Sequence, residues 1–111
     1  MREKNFENKV TRFFESVGIY RLGTPKQKKD VKQVGNYFKV WGGGYQQAGI
    51  PDLICNINGH FVALELKGTG GKPSVLQLIN VKSINESNGI AKVVYPTDYD
   101  ELVKLVKELI Q

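Results

Sequence analysis

Apolar residues in the first segment recur at helical spacing. Phe6, Val10, Phe13, Phe14 and Val17 fall on one side of a 3.6-residue wheel, and Gly18 stands where a helix would end. The pattern therefore predicts an N-terminal helix, followed by a short strand over residues 19–22. Residues 23–36 are polar, carry Lys26, Lys28, Lys29 and Lys32, and include Pro25 and two glycines, which reads as a loop or insert. Residues 37–41 predict a second strand, broken by Gly42, Gly43 and Gly44.

The period then changes to two. Asn58-Gly59 lies between apolar runs, the strongest short-range signal for a hairpin with a two-residue type I′ turn. Such a turn pairs Ile57 with His60, and every further pair must sum to the same number, so Asp52 falls opposite Glu65. Alternation puts Leu53, Cys55, Ile57, Val62, Leu64 and Leu66 on one face, an apolar surface suited to a core. The other face carries Asp52, Ile54, Asn56, Phe61, Ala63, Glu65 and Lys67, charged at one end only. A slip of one residue would drive both carboxylates among leucines, so the register is strongly specified.

Beyond the hairpin, residues 68–73 are rich in glycine and end in Pro73, predicting a loop. Ser74 is placed to cap a helix over residues 75–86, although the apolar positions of that segment are scattered around the wheel. Asn88-Gly89 ends it, and residues 90–95 predict a strand. Pro96-Thr97-Asp98 opens a last helix with Leu102, Leu105, Val106 and Leu109 on one stripe. The order α-β-β-β-β-α-β-α predicts an α/β (α+β) fold in which helices flank a central mixed sheet. With no internal repeat or linker, residues 1–111 read as one domain.

Composition narrows the chemistry only slightly. Lys and Arg outnumber Asp and Glu by 16 to 11, a formal charge of +5 that suits a polyanionic partner without requiring one. Cys55 is the only cysteine, which excludes an intrachain disulfide and a cysteine-based zinc site. No stretch approaches the ~20 apolar residues of a membrane span, and the N-terminus leads straight into an amphipathic segment. The expectation is an intracellular, cytoplasmic chain with no membrane partner and no organic cofactor. The three consecutive glycines lack the Lys-Ser/Thr and following helix of a phosphate-binding loop.

The opposed carboxylates are the chemical signal. Like charges directly across a sheet destabilise it, so a chain that keeps them is expected to hold a cation there. Mg²⁺ or Mn²⁺ takes oxygen ligands, commonly one or two carboxylates completed by water and substrate phosphate. Lys67, one diagonal step from Asp52, would then orient water or stabilise charge on a phosphate. His60 sits at the turn, away from the carboxylates, which argues against a histidine-dependent site.

The run Pro51-Asp52, then Glu65-Leu66-Lys67, resembles the PD-(D/E)XK nuclease superfamily. The lead-in Gly49-Ile50-Pro51-Asp52, Pro73-Ser74-Val75-Leu76-Gln77 and the segment 89–94 are similar to its virus-type replication-repair nuclease (VRR-NUC) branch, which shares a core with Holliday-junction resolvases. The resemblance implies a restriction-endonuclease-like fold, a metal-dependent endodeoxyribonuclease acting on branched DNA such as four-way junctions, and a homodimer. It also implies a phage or phage-infected bacterial setting. Asp52, Glu65, Lys67 and Gln77 would be the catalytic set. Glu7, Asp52, Glu65 and the Leu66 backbone carbonyl would hold the metal. Arg21, Lys26, Lys28, Lys29, Tyr45, Gln46 and Lys72 are candidate DNA contacts. A non-catalytic DNA-binding module, or a flap, duplex-repair or restriction-type nuclease, remain the alternative readings.

Overall fold

The structure, a computed structural model, describes residues 1–24, 31–40 and 48–111. In chain order the elements are α1 (Glu3–Ser16), β1 (Ile19–Arg21), β2 (Gly35–Lys39), β3 (Leu53–Ile57), β4 (His60–Leu66), α2 (Val75–Glu86), β5 (Ile90–Val94), a 3₁₀ turn (Pro96–Asp98) and α3 (Tyr99–Ile110). Among the described residues the five strands form one mixed sheet in the order β1-β2-β3-β4-β5. The outer pairs, β1–β2 and β4–β5, are parallel, and the inner pairs are antiparallel. The element order and the mixed sheet are those that the hydrophobic pattern predicts.

The hairpin holds the expected register. Ile57 pairs with His60 and Leu53 with Leu64. Asn58 and Gly59 both have positive φ, 52° and 85°, as a type I′ turn requires. The turn is fastened on both sides: Gly59 N–H donates to Asn56 Oδ1 (2.9 Å), and Asn58 Nδ2 donates to the Leu109 carbonyl near the end of α3 (2.8 Å).

One face of the sheet makes the core. Leu53, Cys55, Ile57, Val62, Leu64, Leu66 and Val94 meet Phe6, Val10 and Phe14 of α1 and Leu102 and Val106 of α3. Burial pushes the Cys55 thiol up to about 12, so this residue is packing material and no nucleophile. Helix α2 lies against β4 and β5 on the other face and buries none of its own residues fully. Its apolar positions are scattered around the wheel with no single buried stripe, and Val75, Leu76, Leu78 and Ile79 remain exposed.

Three strands differ from the pattern at a boundary, β5 only in ending at Val94 rather than at residue 95. Strand β2 starts at Gly35, inside the stretch that reads as loop, and its last described strand residue is Lys39. Gly35 pairs with Ile57, and a side chain at that position would run into the Asn56 carbonyl, so close backbone approach selects a glycine that propensity assigns to a turn. Strand β1 ends at Arg21, one residue early. Trp41 and Gly42 to Gly44 lie outside the described residues.

Candidate metal centre

Strands β3 and β4 bring the acidic residues to one end of the sheet. The Val40 N–H donates to the Asp52 carbonyl (2.7 Å), carrying the β2–β3 ladder one step past Leu53 and fixing the Asp52 backbone. The Asp52 side chain turns along the sheet edge, where Oδ2 accepts the Leu66 N–H (3.0 Å). An extended residue presents N–H and C=O on the same edge, so the Leu66 carbonyl faces this end as well. Burial raises the Asp52 carboxyl above its usual value, against the lowering effect of the Leu66 hydrogen bond.

Glu65 is only 1% exposed. Its Oε2 accepts Gln77 Nε2 (2.9 Å) and lies 3.3 Å from Lys67 Nζ, while Oε1 is buried with no hydrogen-bond partner among the described residues. Burial, and then the negative charge of Asp52, push its carboxyl up to about 7. An orphaned carboxylate oxygen beside a second carboxylate is the donor chemistry that a hard divalent cation satisfies, so these residues fit Mg²⁺ or Mn²⁺.

Gln77 is positioned by the start of α2. Ser74 caps the helix in a capping box: Gln77 N–H donates to Ser74 Oγ (3.1 Å), and Ser74 N–H donates to Gln77 Oε1 (2.7 Å). The amide oxygen is thereby committed and its NH₂ is turned toward Glu65. One helical turn on, Asn80 Nδ2 donates to the Gly49 carbonyl (2.8 Å), in the approach to Asp52.

Asp52 and Leu66 line a cavity of about 270 Å³ together with Glu3, Lys4, Glu7, Lys39 and Val40. Glu7 therefore reaches the same end of the sheet as Asp52, but it is engaged there by cations. Lys39 Nζ lies 2.7 Å from Glu7 Oε1 and 3.0 Å from Oε2, and Lys4 Nζ lies 3.2 Å from Oε2. Burial pushes the Glu7 carboxyl up, but the bonds to Lys39 and Lys4 outweigh it and hold the carboxyl below its usual range. Among the described residues no three Asp, Glu, His or Cys side chains stand close enough together to hold an ion. The expected set Glu7, Asp52 and Glu65 is thus assembled as a pair, with Glu7 nearby in the grip of two lysines.

Arg21 borders a smaller adjoining cavity with Glu7, Lys39 and Tyr37, and Lys72 is exposed on the loop between β4 and α2. Lys26, Lys28, Lys29, Tyr45 and Gln46 lie outside the described residues. His60 is at the far end of the hairpin from Asp52 and Glu65. Among the described residues no helix is long and apolar enough to cross a membrane.

Lys39 is the site residue that sequence reasoning missed. Strand alternation places it on the face of Gly35 and Tyr37, toward α1, and a lysine ending an inward-facing row was the available signal. Compared with protein-family models, curated proteins and solved structures, the chain matched none.

Proposed function

We propose that the chain is a metal-dependent endodeoxyribonuclease that hydrolyses DNA phosphodiester bonds, with branched DNA such as four-way junctions as its substrate. The observation that carries this reading is the Oε1 of a buried Glu65 beside Asp52, unpartnered among the described residues, with Lys67 on the same carboxylate. Asp52, Glu65 and the Leu66 carbonyl would hold Mg²⁺ or Mn²⁺. The chemistry such an ion supplies when bound is Lewis acidity toward a phosphoryl oxygen and acidification of water.

The chain's own residues divide the remaining work. Leu66 N–H fixes Asp52, and Gln77 fixes Glu65 from outside. Lys67, whose Nζ lies 3.3 Å from Glu65 Oε2, would present its ammonium to the attacking water and the phosphate and stabilise the charge that develops as the new P–O bond forms and the ester P–O bond breaks. The basic balance of the chain favours a polyanionic substrate, with affinity falling steeply as salt rises. In this reading a homodimer would offer two such centres to two strands, in an intracellular setting.

The test uses labelled four-way junction, flap and linear duplex, each with and without Mg²⁺ or Mn²⁺, and compares the wild type with Asp52→Ala. The expected outcome is metal-dependent cleavage that the variant loses while it still binds DNA. Absence of cleavage on every substrate with both metals would replace the enzyme reading with a DNA-binding module. Preferential cutting of flaps would remove the junction assignment and leave the nuclease.

A further inference from the structure

Glu7 belongs to the helix that carries the core, yet it lines the cavity beside Asp52. Both of its oxygens are already taken by ammoniums, and the two lysines differ in kind. Lys4 reaches Glu7 from one turn earlier on the same helix, and its side chain is 68% exposed. Lys39 arrives from the sheet, its side chain is 22% exposed, and it touches both Glu7 oxygens. It also adjoins Val40, whose N–H fixes the Asp52 backbone. The Lys39 ammonium therefore stands at a carboxylate that lines the same cavity as Asp52 and that an ion held by Asp52, Glu65 and the Leu66 carbonyl could recruit as a further ligand.

A carboxylate held by an ammonium through close charge-assisted bonds is not a free ligand: each contact must be given up before a second cation can use the same lone pairs. We propose that Lys39 is a built-in competitor for the divalent ion. Its ammonium holds Glu7 while the centre is empty of metal, sets the affinity of the Asp52–Glu65 pair, and is displaced from Glu7 when that side chain joins the ion. This inference rests on the metal-centre reading above and adds to it the residue that tunes ion uptake. It also accounts for the pairwise arrangement of acids: the third carboxylate is present but reserved.

The test measures Mn²⁺ affinity by titration calorimetry and by electron paramagnetic resonance, without DNA and without turnover. Four chains are compared: wild type, Lys39→Met, Glu7→Gln and the double variant. Lys39→Met is expected to tighten Mn²⁺ binding about tenfold, the scale of one charge-assisted pair removed from competition. In the Glu7→Gln background the same substitution is expected to change affinity less than about twofold. Unchanged or weakened binding in Lys39→Met overturns the proposal. So does equal tightening with and without Glu7, which would mean plain repulsion between Lys39 and the ion.

Asp52→Ala separates this inference from the reading beneath it. Mn²⁺ binding that Asp52→Ala abolishes and Lys39→Met leaves alone keeps the centre and defeats only the competition. Binding absent from both wild type and Lys39→Met, or indifferent to Asp52→Ala, defeats the centre itself. Circular dichroism verifies folding, and Lys39→Gln, which keeps a polar group at the position, repeats the comparison if the methionine variant is unfolded.

Discussion

Helix α1 buries Glu7 between two ammoniums, whereas the open end of the β3–β4 hairpin buries Glu65 against a second carboxylate. Both are glutamates withdrawn from water, and among the described residues they are the two charged residues that are buried. Both oxygens of one are engaged by lysines, and an oxygen of the other has no partner among the described residues. Removing a carboxylate from water is costly, and paired lysines offset that cost for Glu7 as they would in any folded protein. For Glu65 the offset is partial: Lys67 and Gln77 both meet Oε2, and Asp52 adds repulsion. The contrast teaches that burial alone does not single out a candidate ion ligand. What singles it out is burial without enough partners.

The comparison breaks most visibly at Glu65. Glu65→Gln is expected to lower metal-dependent cleavage by more than about 100-fold, beyond the usual cost of losing a group that merely supports a metal ligand. The same substitution should raise stability at pH 8 in urea unfolding, by up to roughly 3 kcal/mol, because it removes the need to ionise a carboxyl whose value is raised to about 7. An enzyme that keeps its rate with glutamine at 65 would end the metal-centre reading. Gln77→Ala should cost about 10–100-fold in activity by releasing Glu65 Oε2, and should leave DNA binding within twofold or so.

Glu7→Gln should instead destabilise the fold at pH 7, by about 1–3 kcal/mol, since it removes the charge-assisted bonds between Glu7 and the partly buried Lys39. Lys4→Ala is the smallest step, within about 0.5 kcal/mol, because Lys4 is mostly exposed and pairs across a single turn.

The two glutamates also pull pH dependence in opposite directions. Glu65 is raised in the fold, so the unfolded chain gives up that proton first. Its contribution declines as pH climbs from the ordinary glutamate value of 4.5 through about 7, and Asp52, also raised, acts in the same direction. Glu7 is lowered, so its contribution is present above 4.5 and is lost as pH falls below it. Urea midpoints measured from about pH 2 to pH 8 should therefore show the alkaline decline flattened in Glu65→Gln and the acid decline flattened in Glu7→Gln. An unaltered pH profile in both variants would remove the electrostatic contrast.

Much of this arrangement was legible because it is local. Asn58-Gly59 specifies a turn, the turn specifies a register, and the register carries Asp52 and Glu65 to the same end of the hairpin, one step past the Leu53–Leu64 pair, without any knowledge of the rest of the fold. Ser74 likewise announces a helix start, and the amphipathic stripes of α1 and α3 name much of the core; that Gln77 closes a capping box with Ser74 emerged only in the structure. What escaped depends on contacts between distant segments. Gly35 enters a strand because Ile57 lies beside it, and Lys39 meets Glu7 across 32 positions of sequence. No periodicity encodes such a meeting, since the packing of α1 on the sheet creates it. The resemblance to nucleases placed Glu7 near the centre but gave no sign of the lysine that holds it.

Helix α2 ties both sides of the hairpin's open end while burying almost nothing itself. Gln77 grips β4 at Glu65, and Asn80, one turn along the same rod, grips the approach to β3 at Gly49. One rod thus braces both strands from outside the sheet, as a crosspiece spans two posts. A shift of that rod along its axis would load both anchorages at once, while the β3–β4 ladder and the Leu66 bond to Asp52 stayed as they are. Anything that presses on its exposed apolar side, at Leu76 or Ile79, has mechanical access to both anchorages.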